Sequence, residues 1–215
     1  MLQGTATSLL AVCGLTKAYD GRVIVDGLDL VVEAGSAIAL MGPNGCGKST
    51  VLRCLSGHEQ GTYASFKTGG QPARVHSSAY RRDVFPIFDD FSFFPDITVA
   101  EHLELLAGMY DVPDHEATAA AALERFGVSG VAEQFPTSLS SGQIRRVAFA
   151  AAAIRPWNLL LLDEPEQRLD ADGRARLVQF LQERMATGRG LVFATHDAGL
   201  AQLLGARVVA LAHRR

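Results

Sequence analysis

Short apolar runs closed by Gly or Asp recur near both ends of the chain. Runs at 9–13, 28–32 and 37–41 predict strands, and 64–67 and 84–88 are weaker candidates. The segment 45–55 reads as a loop entering a helix, and residues 69–82 carry no clean period. From Thr98 the period becomes helical. Thr98-Val99-Ala100-Glu101 has the form of a capping box, in which the Thr hydroxyl accepts from an orphan N–H and Glu reaches back to the Thr amide. Leu103, Leu106 and Tyr110 then share one face. Pro113 separates this helix from a second over 114–126, which Gly127 ends, and Ser140 opens a third that Pro156 stops at about Arg155. Strand signals return at 159–162 and 190–195, with a helix over 172–185 between them. Asp197 caps a final helix, and 208–211 reads as a last strand. The pattern is α/β at both ends with an all-helical middle. It predicts one parallel-sheet lobe interrupted by a helical insertion of roughly 60 residues.

Composition narrows the function classes. With 48% hydrophobic and 20% charged residues, the 215-residue chain is globular rather than disordered. A net charge of −3 argues against a general nucleic-acid binder, whose affinity comes from neutralising phosphates. Cys13, Cys46 and Cys54 form no C-x-x-C pair, which predicts neither a disulfide framework nor a zinc site and fits a reducing cytoplasm. No apolar run approaches the roughly 20 residues that span a bilayer. The first basic residue is Lys17, so no signal peptide is expected, and any membrane contact is expected through a partner.

Two motifs carry chemistry. Gly42-Pro43-Asn44-Gly45-Cys46-Gly47-Lys48-Ser49 fits G-x-x-x-x-G-K-[ST] at every fixed position, after an apolar run and before a helix. Glycines let backbone N–H groups curl around an anion, and the helix N-terminus adds partial positive charge. In such a loop Lys48 reaches the β- and γ-phosphates and the Ser49 hydroxyl binds Mg²⁺. The second motif is the run 159–162 ending in Asp163-Glu164. An Asp at the carboxyl end of a parallel strand stands where open α/β sheets bind ligands, so Asp163 is the candidate Mg²⁺ ligand. Glu164 beside it is placed to polarise an attacking water. Cys46, near a helix N-terminus, is expected to be alkylated faster than Cys13 or Cys54 and to be protected by Mg-ATP.

With these motifs stands Leu139-Ser140-Ser141-Gly142-Gln143, ahead of the second motif and followed by Arg145-Arg146-Val147-Ala148. Together they resemble an ATP-binding-cassette (ABC) ATPase, the motor subunit of an ABC transporter, over essentially the whole chain. The resemblance implies a P-loop NTPase core, mainly parallel sheet flanked by helices with an N-terminal antiparallel β part, plus an inserted α-helical subdomain. It places the core lobe at about 1–88 and 156–215 and the helical lobe at about 90–155. It implies that residues 42–50, Thr50 included, bind ATP with Mg²⁺, and that Tyr19 stacks on adenine. Lys48, Glu164 and His196 form the catalytic set, with His196 at the family's switch-histidine position. Ser140, Ser141, Gly142 and Gln143 act on the nucleotide of the opposite subunit, and Asp170 belongs to the loop that links the two sites. The implied partners are a second cassette, identical or not, and an integral membrane subunit at the inner face of the cell membrane.

Three departures stand out. Ser141 replaces the first signature Gly. Glu166-Gln167-Arg168 replaces the small residues usual before Leu-Asp. Asp89, or Asp90 one residue on, replaces the Gln at the junction of the two lobes, where it is the candidate for a further Mg²⁺-side carboxylate. Two alternatives remain beside a hydrolysing transport motor. One is a partner cassette that binds ATP and hydrolyses it weakly, and the other is an ABC ATPase of DNA repair or translation.

Overall fold

The computed structural model describes residues 8–89 and 93–212; Asp90 lies outside them. The strands are β1 (Ser8–Tyr19), β2 (Arg22–Glu33), β3 (Ala37–Met41), β4 (Ser65–Thr68), β5 (Gln71–Pro72), β6 (Val84–Ile87), β7 (Leu159–Asp163), β8 (Gly190–Thr195) and β9 (Arg207–Ala210). The α-helices are α1 (Lys48–Ser56), α2 (Ser78–Asp83), α3 (Val99–Met109), α4 (His115–Arg125), α5 (Ser141–Ile154), α6 (Ala171–Ala186) and α7 (Ala198–Leu203). Two compact units divide the chain: residues 1–88, 157–165 and 182–215 in the first, 89–156 and 166–181 in the second.

The first unit holds two sheets. One is antiparallel, in the order β2-β1-β4-β5; the other is parallel, in the order β6-β7-β8-β3-β9. This is the α/β class read from the sequence, including the antiparallel part near the N-terminus. Strands β3, β7 and β8 are buried along almost their whole length, as expected of parallel strands covered on both faces. Leu40, Leu161, Val192 and Ala194 from the parallel sheet join Leu10, Leu30, Val51, Leu52 and Leu55 in one core cluster.

The structure departs from the sequence pattern in two places. The β1–β2 hairpin runs 12 residues on each side, well beyond 9–13 and 28–32. Register shifts between Val12 and Leu15, and again up to Ala18, break the strict alternation while the ladder continues to Tyr19↔Arg22. Helix α2 falls in the stretch that shows no period. It has six residues, too few for one, and its start is fixed by the Ser77 hydroxyl accepting from Tyr80 N–H at 3.1 Å.

In the second unit, both capping boxes form. Thr98 N–H donates to Glu101 Oε2 at 2.7 Å and Glu101 N–H to Thr98 Oγ1 at 3.2 Å. Ser140 N–H donates to Gln143 Oε1 at 2.8 Å and Gln143 N–H to Ser140 Oγ at 3.3 Å. Helices α3, α4 and α5 pack on one another, and Phe126 lies 5.9 Å from Phe149 and 5.4 Å from Phe180, ring centre to ring centre. Residues 166–181, assigned to the core lobe from the sequence, group here with the helical unit.

Candidate functional site

The order β7-β8-β3 in the parallel sheet sets the site. It aligns Met41 with Thr195 and Asp163 with Ala194, so the segments leaving three adjacent strands emerge side by side at their carboxyl ends. From β3 comes the loop 42–47, from β7 the pair Asp163-Glu164, and from β8 His196.

The loop needs its glycines for two different reasons. At Gly42 the issue is space: a Cβ there would lie 2.2 Å from Leu211 O and 2.8 Å from Cys46 Sγ. At Gly47 it is conformation, because the residue caps α1 at φ +100°, where L side chains are strained. Lys48 is buried, and its ammonium donates to Gly42 O at 2.9 Å and Pro43 O at 3.2 Å, inside the curl of the loop. Asn44, Gly45, Gly47, Lys48, Ser49, Thr50, Tyr19, Ile24 and Glu164 line one cleft of about 410 Å³, with Ser49 exposed.

Glu164 adopts φ +42°, a left-handed conformation unusual for a non-glycine residue, and its N–H donates to Ala194 O at 2.9 Å. Its carboxylate is 3.6 Å from His196 Nδ1, and the histidine side chain is 62% exposed. Around His196, Asp197 N–H donates to Thr195 Oγ1 at 2.9 Å and Asp197 Oδ1 accepts from Leu200 N–H at 3.0 Å, which fixes the turn out of β8. Tyr19, half-exposed, donates its hydroxyl to the Glu59 carboxylate. Lys17 Nζ sits 4.6 Å from the centre of the Tyr19 ring and 3.6 Å from Glu59. Burial, then Glu59, pushes the phenol above its ordinary range. The Lys17–Glu59 support carries no local sequence signal, because Glu59 lies 40 residues from Tyr19.

The second unit gathers the other sequence-selected residues. Ser140, Gly142, Gln143 and Asp170 line one concavity of about 520 Å³ together with Arg146 and Arg168. Gly142 is required by close approach, since a Cβ there would stand 2.7 Å from Arg168 O. Asp170 Oδ1 accepts from Gly173 N–H at 2.8 Å at the start of α6 and pairs with Arg146. Asp89 does not stand alone. Its carboxylate lies 3.7 Å from Arg145 Nη1 and 3.5 Å from Arg168 Nη2. No group of three or more His, Cys, Asp or Glu side chains placed to hold a metal occurs among the described residues. Mg²⁺ would need no such group if Ser49 and Asp163 shared it with phosphate oxygens, since it keeps several of its waters.

The cysteines correct one expectation. Cys46 is 3% exposed and Cys54 is fully buried, with burial pushing its thiol up to about 11, whereas Cys13 is exposed. Access favours Cys13, not Cys46, as the first thiol to react.

A family model described as ABC transporter matches residues 25–167. The sulfate/thiosulfate import ATP-binding protein of Agrobacterium fabrum is 36% identical over 210 residues, 93% of this chain and 60% of its own length. The spermidine/putrescine import ATP-binding protein of Marinobacter nauticus is 35% identical over 208 residues, 95% of this chain and 55% of its own length. The Fe(3+) ions import ATP-binding protein of Haemophilus influenzae is 33% identical over 193 residues, 87% and 58%. The chain thus spans a little over half the length of the curated relatives it matches. A solved structure of the ATP-binding subunit of an ABC transporter superposes with a TM-score of 0.84 at 27% identity, over 94% of this chain and 85% of that one.

Proposed function

The chain belongs to the ABC transporter family, and from that premise we propose that it is the ATP-hydrolysing motor subunit of a transporter, working as a pair of cassettes on a separate membrane subunit. The relatives named above are import ATP-binding proteins, which supports import as the direction. No described helix is long and apolar enough to cross a membrane; the proposed place of the chain is the inner membrane face, through that partner. The observation that carries the reading is the single cleft in which Lys48, Ser49 and Glu164 meet, with His196 beside Glu164.

The roles follow from that placement. Residues 42–50, through backbone N–H groups (Pro43 has none), and the Lys48 ammonium bind the β- and γ-phosphates, and Tyr19 offers its ring to the adenine. Ser49 and Asp163 would hold Mg²⁺, which would supply positive charge to the phosphate oxygens. Glu164 accepts a proton from the attacking water as its oxygen bonds the γ-phosphorus and the bond to ADP breaks. His196, exposed beside Glu164, holds the water and the γ-phosphate in line. Ser140, Ser141, Gly142, Gln143 and Asp170 act on the nucleotide held by the opposite cassette, so the complete site needs two chains. The test is Glu164→Gln. ATP binding should persist, turnover should fall about a hundredfold or more, and an ATP-bound dimer should accumulate on gel filtration. Turnover equal to the parent's would remove Glu164 from the reaction and the reading with it.

A further inference from the structure

Two of the departures in this sequence, Asp89 and Arg168, meet in space. Asp89 follows directly on Phe88, after β6; Arg168 lies between β7 and α6 at φ +63°; and Arg145 belongs to the second turn of α5. The Asp89 carboxylate is 56% exposed and stands between the two guanidinium groups, at 3.7 Å from Arg145 and 3.5 Å from Arg168. The Arg145 side chain is 5% exposed, so it is the fixed member of the three. The next arginine of α5 holds the other end of the same loop. Arg146 pairs with Asp170, and it lies 3.3 Å from Asp172, which Arg176 Nε approaches at 2.8 Å. The loop is therefore gripped twice by α5, directly through Arg146 and through Asp89 from Arg145. What it touches is the signature itself, because the carbonyl of Arg168 abuts Gly142.

We propose that Asp89 and Arg168 are a matched pair of positioning residues. The Asp89 carboxylate joins two guanidinium groups and so sets the loop 168–170 against the amino end of α5, fixing the surface that carries Ser140, Gly142 and Asp170. Both act through Gly142 and Asp170. Charge explains why the two departures occur together. A neutral residue at 89 would take from the Arg168 guanidinium the carboxylate beside it, and a small residue at 168 would leave Asp89 with one guanidinium of these two. The inference rests on the proposed function in one respect: the surface being positioned is taken to act on ATP held by a second copy of the chain.

The purified chain tests it, with steady-state ATPase measured against ATP and against Mg²⁺. Asp89→Asn should lower kcat about five- to tenfold with KM for ATP within about twofold, because the chain's own phosphate loop is untouched. Arg168→Gln should lower kcat only about twofold. The double variant should return to the level of Arg168→Gln alone, since it removes the guanidinium that Asp89→Asn deprives of its carboxylate; such non-additivity is the mark of groups in contact. Asp89→Glu should keep near-parental activity. Additive losses, or a rise in KM with kcat unchanged, would overturn the proposal. So would a shift of the Mg²⁺ midpoint in Asp89→Asn that vanishes at saturating metal, which would make Asp89 a metal-side residue instead. Amide exchange without nucleotide gives a readout independent of hydrolysis. In Asp89→Asn, residues 140–143 and 168–172 should exchange faster, and unchanged exchange there would overturn the proposal. A parent chain that does not hydrolyse ATP would instead overturn the proposed function, leaving the exchange result to decide the pair.

Discussion

In the first unit, the loop 42–47 is held by backbone conformation and apolar packing. Gly42 has no room for a Cβ, Gly47 sits in a left-handed conformation, and the strands beneath are buried side chains of Leu, Val, Ala and Phe. In the second unit, the amino end of α5 is held against the loop 168–172 by arginine–carboxylate pairs that water reaches. A curl fixed by backbone sterics on buried strands carries no charge pair for salt to screen, whereas half-exposed ion pairs depend on salt and on every charge in the set. One surface is built to be rigid, and the other is built so that charge sets its position.

The harshest way to break the first half of that comparison is Gly42→Ala. The added methyl would meet a backbone carbonyl, so the strand–loop junction must shift. The expected cost is about 2–4 kcal/mol, read as a lowered midpoint in urea together with lost ATP binding. A variant as stable as the parent would show the loop to be softer than its packing. Thiol labelling comes next. Cys13 should react at least about tenfold faster than Cys46 in the native chain, by peptide mapping, because access limits the buried thiol. Asp29 holds the Cys13 thiol above its usual range through a hydrogen bond and its charge, so Cys13 labelling should climb as pH rises and Asp29→Asn should speed it.

Salt sharpens the second half. Raising ionic strength from about 0.1 M to 1 M shortens the screening length from about 10 Å to about 3 Å. Amides at 140–143 and 168–172 should then exchange a few-fold faster, while those of 37–49 stay unchanged. The smallest effect concerns His102 of α3. Its Nδ1 is buried without a hydrogen-bond partner, its ring lies 4.9 Å from that of Phe93, and burial lowers its pKa. Because the folded pKa is below the unfolded value of about 6.5, the unfolded chain takes up a proton that the folded chain resists. Stability should fall as pH drops below about 6.5 and level off once the folded group titrates. His102→Asn should remove that part of the slope, read as the difference in thermal midpoint between pH 7.5 and 5.5.

Much of the first unit's site was legible because its signals are local. The phosphate loop is contiguous, Asp163-Glu164 ends an apolar run, and each capping box lies within four residues. The parallel sheet and the helical insertion were legible from the change of period at Thr98. What escaped depends on partners distant in sequence or on broken periodicity. The full length of the hairpin was hidden by its bulges, and α2 by its brevity. The support of Tyr19 was hidden because Glu59 comes from beyond the end of α1. Asp89 stood out only as a departure from a family pattern, since its guanidinium partners lie in α5 and beyond β7. The placement of 166–181 with the helical unit follows from arginine contacts to α5 and from Phe180, none of which has a periodic signature.

The strand order has a consequence for the newborn chain. Among the described residues, β3, which carries the phosphate loop, pairs in the parallel sheet with β8 and β9, Ala37 with Leu191 and Ile38 with Arg207. At about 5–20 residues per second, a ribosome needs on the order of ten seconds or more to travel from β3 to β8. Throughout that interval the strand has both edges open, although its five residues are Ala-Ile-Ala-Leu-Met. The helices α3, α4 and α5, contiguous in sequence, meet their packing partners well before then. The sheet that carries the phosphate loop is thus the last to close, and the time at which a nascent chain most needs a chaperone is fixed by the position of β8 in the sequence.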